Sequence, residues 1–282
     1  MLSVTDVSVV LDERPILKGV SFHVGAGEIA GYVGPNGAGK TTTMRLLTGV
    51  LKPDAGRVTV GGIDVAAEPL AAKRRFGYVP EHGHLYESFT PAEYLTFVGR
   101  MHGLDEAVLA RRAEALLRFW KLDGAAQQRV NGFSKGMKQK ALISSALLHD
   151  PAVLLLDEPL TGLDAHAVLQ FRALLKARAA AGVTVFYSSH LLDAVERVVD
   201  QVIVIRAGEI VRTASPQDLM TETASGSLEG AFSQLTAAED ADAALHVIDD
   251  DAAGAGGAGA DERDDVDVDD SDIAAVGASP SA

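Results

Sequence analysis

Two kinds of hydrophobic patterning alternate along the first 235 residues. Short, almost uninterrupted apolar runs rich in β-branched residues occur at Ile29–Val33, Val153–Asp157, Val183–Ser188 and Val202–Arg206. Between them lie longer stretches with helical patterning, at Lys40–Val50, Pro91–Met101, Glu106–Trp120, Ser134–His149 and Ala165–Ala179. A run such as Val153–Leu156, apolar at every position, leaves no side for solvent and suits the interior of a parallel sheet covered on both faces by helices. The alternation predicts an α/β fold. Residues 87–150 hold several helical patterns and no convincing strand, so a mainly helical subdomain is expected there, inserted into the α/β core. No internal repeat is visible.

Composition narrows the class. The chain has 282 residues, 47% of them hydrophobic, enough to bury a sizeable core. It lacks cysteine, which excludes a disulfide framework, a thiolate metal site and a cysteine nucleophile. No apolar run approaches the roughly 18 residues that span a bilayer. Asp6, Asp12 and Glu13 follow Met1 where a secretory leader has a basic and then an apolar region. A soluble, intracellular product is expected.

The net charge of −14 is unevenly spread. Residues 239–282 hold 14 of the 39 acids and one of the 25 bases, leaving 25 acids against 24 bases in residues 1–238. A nearly neutral body carries no electrostatic footprint for nucleic acid, and none is expected as a partner. The tail has no aromatic residue, and Ala252–Ala260 consists only of alanine and glycine. Too little apolar surface is available there to offset the entropy of ordering, so an acidic disordered tail is expected over 239–282, as a solvated extension or a docking segment.

Candidate chemistry begins directly after Ile29–Val33. The segment Gly34-Pro35-Asn36-Gly37-Ala38-Gly39-Lys40-Thr41, followed by Thr42 in a helical run, fits G-x-x-x-x-G-K-[ST] between a strand and a helix. Its glycines let the backbone curl so that successive N–H groups converge on a phosphate, and the following helix turns its positive end to the same anion. Lys40 would reach the β- and γ-phosphates and the Thr41 hydroxyl would hold Mg²⁺. By itself the loop signals a nucleoside triphosphate without separating kinase, GTPase and ATPase.

A second site lies at Val153-Leu-Leu-Leu-Asp157-Glu158-Pro159, where two acids follow a buried strand at the edge at which open α/β sheets gather their ligands. Asp157 suits the Mg²⁺ shell, and Glu158 suits orienting or deprotonating an attacking water. Alone, the pair is equally a solvated strand cap; beside the phosphate loop it reads as chemistry. His190, after Val183–Ser188, is a donor to a γ-phosphate or merely structural. His82 and His84 are the only close histidine pair and have no further metal ligands nearby.

Taken in order, these segments resemble the nucleotide-binding subunit of ABC (ATP-binding cassette) transporters over about residues 1–235. Besides the phosphate loop, Asn131-Gly-Phe-Ser-Lys-Gly-Met-Lys-Gln-Lys140 stands at the place of the family's LSGGQ signature, Leu154–Pro159 at the Walker B segment, Thr161-Gly-Leu-Asp164 at the D-loop and Ser188-Ser-His190 at the switch histidine. The resemblance implies a P-loop NTPase (RecA-like) core with a mainly parallel sheet and an N-terminal antiparallel β part. The core would comprise 1–86 and 151–235 and the signature subdomain 87–150. It further implies a head-to-tail dimer around two ATP, in which Ser134 and Gly136 of one chain cap the phosphate held by the other and Asp164 links the two sites. Without the family, Ser134 reads as a helix N-cap.

Three departures accompany the likeness. Lys135 and Met137 stand where the signature has glycine and glutamine, and Glu81, in Gly77-Tyr-Val-Pro-Glu81, stands where the family has its Q-loop glutamine. A carboxylate at 81 can still bind Mg²⁺ or its water, but adds charge beside a triphosphate. Residues 1–21 contain no aromatic to stack on adenine, a contact worth about 1–3 kcal/mol in other nucleotide sites; Val10 or Leu11 would supply apolar contact instead.

The signature variant, the Tyr-Val-Pro-Glu segment and Ser227–Thr236 are similar to cassettes of ABC-2 type exporters, whose membrane domain is usually a separate polypeptide. The resemblance therefore implies an ATPase with ATP and Mg²⁺ at its site, a second cassette as partner, and a transmembrane permease that keeps it on the inner face of the cell membrane. Leu85, Tyr86 and Phe89 are expected to form the docking surface for that permease, or ordinary subdomain core. The rivals are a soluble ABC ATPase without a transport role, such as an iron–sulfur assembly ATPase, and a cassette held at slow turnover by its tail.

Overall fold

In a computed structural model, residues 1–190 and 192–237 are described; the acidic tail expected over 239–282 lies outside them. The chain opens with β1 (Leu2–Leu11) and β2 (Arg14–Val24), paired antiparallel through a turn at Asp12 and Glu13. Both turn residues have positive φ, 48° and 62°, which matches the turn to the twist of the strands. A bulge at Asp6 shifts the buried set from Leu2 and Val4 to Val7 and Val9, so the strand keeps one apolar face in spite of the extra residue.

The order then runs β3 (Ile29–Val33), α1 (Lys40–Leu47), β4 (Ala55–Val60), β5 (Ile63–Asp64), α2 (Pro69–Lys73) and β6 (Phe76–Val79). Three helices follow, α3 (Pro91–Met101), α4 (Glu106–Phe119) and α5 (Lys135–Leu147), and the chain returns through β7 (Val153–Asp157), α6 (Ala165–Ala180), β8 (Thr184–Ser188) and α7 (Leu192–Glu196). It ends with β9 (Gln201–Arg206), β10 (Glu209–Ala214), α8 (Pro216–Glu222) and α9 (Leu228–Ala237).

Two sheets result. One has the order β2-β1-β4-β5 and is antiparallel; the other has the order β10-β9-β3-β8-β7-β6, parallel throughout except for β10. Every residue of β3, β7 and β8 is buried. Alternate side chains serve two different cores: Ala30, Tyr32, Leu155 and Phe186 face α1 and the antiparallel sheet. Ile29, Val33, Leu154, Leu156 and Tyr187 face α5 and α6. This two-sided burial is why the strands are apolar without alternation.

The expected elements are recovered with small end corrections. Val183 precedes β8 and Gln201 opens β9. The helix expected over Lys40–Val50 stops at Leu47, where Thr48 turns its hydroxyl back on Met44 O at 2.8 Å and Gly49 takes φ 68°. Among the described residues, 87–150 contain no strand, and α3 starts on a capping box between Thr90 and Glu93. No described helix is long and apolar enough to cross a membrane.

Candidate nucleotide site

The phosphate loop joins the carboxyl end of β3 to α1. Gly39 adopts φ 109°, a backbone angle that favours glycine, and a Cβ there would lie 2.6 Å from Leu17 Cδ2. Behind the loop, buried Tyr32 contacts Thr43 Oγ1 at 3.0 Å, and the Thr43 hydroxyl donates to Gly39 O at 3.0 Å, bracing the first turn of the helix. Pro35, Asn36 and Gly37 are exposed, Gly34, Ala38, Gly39 and Thr42 buried, and Thr41 stands exposed at the start of α1. The Lys40 ammonium donates to Gly34 O at 2.6 Å and Pro35 O at 3.0 Å, which lays the cation across the loop. Burial lowers its pKa, while Glu158, Asp157 and Glu81 act in the opposite direction.

Asp157 ends β7 opposite Ser188 of β8. Its carboxyl is pushed up to about 6, chiefly by burial and then by the charge of Glu81, with a hydrogen bond from Ser188 and the Lys40 charge opposing. Glu158 follows in the left-handed region, φ 47°, uncommon for a residue with a side chain. Its carboxylate is buried and held at both oxygens: Ser189 Oγ donates to Oε2 at 3.1 Å and His190 N donates to Oε1 at 2.7 Å. The His190 ring is exposed, with Nδ1 2.8 Å from Oε1.

Lys40, Asp157, Glu158 and Glu81 thus share one electrostatic neighbourhood at the carboxyl edges of β3, β7 and β6, with His190 joining from β8. These residues fit a divalent cation, because an acid pushed up by burial and a second carboxylate gains from a positive charge. Among the described residues no three His, Cys, Asp or Glu are placed to hold a metal by themselves. The protein would therefore fill only part of a shell, as suits Mg²⁺ shared with phosphate oxygens and water. His82 and His84 form no metal cluster either.

Ser134 and Gly136 lie at the N-terminus of α5. Ser134 caps the helix, accepting from Met137 N at 3.2 Å. A Cβ on Gly136 would come within 2.5 Å of Gly162 O, so this turn is pressed against the segment leading to Asp164. Asp164 caps α6 through Ala167 N at 2.8 Å, which is the first cause of its lowered pKa, and Lys140 Nζ is 3.5 Å from its Oδ2. For Leu85 the alternative of ordinary subdomain core applies. Leu85 is 8% exposed and packs with Val130, Ala141 and Leu142, so it is core. Tyr86 and Phe89 instead meet Phe97 in a ring cluster, with centroids 5.4 to 5.9 Å apart. Phe97 and the buried amide of Gln139 were not singled out by sequence, since an aromatic and a glutamine on helices carry no distinctive spacing.

A phosphate loop on an inner strand of a parallel sheet, with Asp-Glu at the end of the strand two places away, defines a P-loop nucleoside triphosphatase. The model of the ABC transporter family matches residues 17–161. ABC transporter ATP-binding protein NatA of Bacillus subtilis is 36% identical over 238 residues, covering 82% of this chain and 96% of that protein. Nod factor export ATP-binding protein I of Rhizobium etli is 35% identical over 218 residues, covering 77% and 69% respectively. A solved structure of the ATP-binding subunit of an ABC transporter superposes with a TM-score of 0.79 at 32% identity, covering 83% of this chain and 99% of that one. The chain belongs to the ABC transporter family, as an ATP-binding subunit that hydrolyses ATP.

Proposed function

We propose that the chain powers export. In this reading it works as a head-to-tail pair with a second copy of itself or a homologous cassette, seated on a separate transmembrane permease at the inner face of the cell membrane. The observation that carries the reading is the two-point grip on the Glu158 carboxylate by Ser189 and His190, beside the phosphate loop. A carboxylate so fixed can take the proton of a water that attacks the γ-phosphate in line. Lys40 and His190 stabilise charge on the transferred group, and Ser134 with Gly136 closes the site from the partner copy. Thr41 and Asp157, with Glu81 near, would hold Mg²⁺, which would supply charge neutralisation for the phosphate oxygens.

The helical part, 87–150, is proposed to move against the core formed by 1–86 and 151–235. The permease segment that senses this movement is placed on the ring cluster of Tyr86, Phe89 and Phe97, which borders a cleft of about 910 Å³ lined also by Thr96, Met101 and Arg129. Export is supported by the name of the Nod factor relative and by the exporter-like signature segment. A soluble ABC ATPase without a transport role is not favoured by relatives named for transport and export.

The test is purification of the Glu158→Gln chain from detergent-solubilised membranes with ATP and Mg²⁺ present. That substitution removes the base and leaves the phosphate loop, which prolongs the closed pair. Recovery of a multi-spanning partner in stoichiometric amount supports the reading; recovery of soluble partners alone overturns it.

A further inference from the structure

One buried polar contact ties the helical part of the chain to the carboxyl edge of the parallel sheet. Gln139, within α5, is 7% exposed, and its Nε2 donates to Pro159 O at 2.9 Å. Pro159 directly follows Glu158. The same junction is closed by other contacts. The side chain of Lys135 covers Gly162, where a Cβ would lie 2.8 Å from Lys135 Cγ, Gly136 abuts Gly162 O, and Lys140 faces Asp164.

Two physical facts give the contact a purpose. Left-handed backbone at a residue like Glu158 persists only where its surroundings enforce it. Here Glu158 N donates to Ser188 O at 3.0 Å, Glu158 O accepts from Thr161 N at 3.2 Å, and the next carbonyl is fixed by Gln139. In addition, Gln139 precedes a buried stretch that includes Ala141, Leu142 and Ile143, where an apolar side chain would fill the same space without an amide to desolvate. The amide is therefore explained by what it holds.

We propose that Gln139 is a positioning residue for ATP hydrolysis: by holding Pro159 O it fixes the turn that carries Glu158, so the helix bearing Ser134 and Gly136 aligns the base of its own chain. The proposal rests on the ATPase reading above. A misplacement of the base by a fraction of an ångström lowers turnover without weakening nucleotide binding, because the loop and Lys40 belong to β3 and α1.

The test uses the full chain with Gln139→Met, similar in shape and without a donor, and Gln139→Glu, isosteric with an acceptor facing the carbonyl. Active sites are counted by ATP titration and turnover is expressed per site. Turnover per site is expected to fall about tenfold, equivalent to ~1.4 kcal/mol in the barrier, with KM for ATP unchanged within about twofold. Gln139→Asn, one methylene too short to reach Pro159, gives the same result and serves where the other two do not fold. Wild-type turnover per site in any folded variant overturns the proposal, as does a loss carried by KM alone. An inactive wild-type chain overturns the ATPase reading together with it, whereas active wild type and equally active variants overturn the positioning role alone.

Discussion

His190 meets Glu158 twice at one oxygen: its backbone N donates to Oε1 at 2.7 Å, and its ring Nδ1 lies 2.8 Å from the same atom. The two residues end neighbouring strands of the parallel sheet, so strand pairing sets their approach and the side chains only complete it. Replacing His190 by alanine leaves the backbone contact and removes the ring. Turnover in His190→Ala is expected to drop by roughly a hundredfold, the cost of one donor aimed at developing charge. ATP affinity should hardly change. Single-turnover hydrolysis beside equilibrium ATP binding checks this, and wild-type turnover would refute a role for the ring.

Asp157 makes the metal-free protein pH-sensitive in an unusual direction. Its folded pKa is raised to about 6 from 3.8, so between these values the folded state binds more protons than the unfolded one, and stability falls as pH rises. Asp157→Asn should raise Tm at pH 7 in chelator-containing buffer, by ~1–2 kcal/mol of stability, with the gain shrinking toward pH 4. Thermal melts across that range decide it.

His149 acts in the opposite sense. Its ring stacks on His102 with centroids 3.8 Å apart, and Nε2 contacts Phe76 O at 3.0 Å. Burial, then the charge of His102, pushes its pKa down to about 4, with Arg112 and Asp150 also acting on it. Between about 4 and 6.5 the unfolded chain binds more protons, so stability falls as pH drops through that window. In His149→Phe the acid-side loss of Tm should flatten, even if Tm at pH 7 is lower. An unchanged slope would assign the acid sensitivity elsewhere.

Gly136→Ala tests the junction between the signature turn and the D-loop. The added methyl would meet a backbone oxygen at 2.5 Å, and backbone yields less readily than a side chain. Destabilisation of about 1–3 kcal/mol is expected, as in other overpacked sites, together with slower turnover. Denaturant unfolding and ATPase assays on one preparation check both.

Legibility followed burial. Strands β3 and β7 are placed at both ends by sequence because β3 carries no charge, β7 is apolar up to Asp157, and the two are bounded by Gly34 and by Glu158. Helix α3 is placed as well, since Thr90, Pro91 and Glu93 write its start. Strand β6 has only four residues, one of them Gly77, and exists through pairing with β7, about eighty positions away in sequence. Leu85 stays open between docking surface and core in the sequence for a related reason: its burial depends on Val130, Ala141 and Leu142, which no local pattern connects to it. The chemistry of Lys40 and Asp157-Glu158 was readable from motifs. The grip of Ser189 and the amide of Gln139 required the fold, because each acts through an atom distant in sequence.

The left-handed backbone at Glu158 has a consequence for engineering. Glycine or asparagine would sit there at ease, and neither could accept the proton. A library sorted for heat resistance alone should therefore enrich those residues at 158 and return sturdier, inert proteins. Selection for endurance and selection for work pull in opposite directions at this one residue.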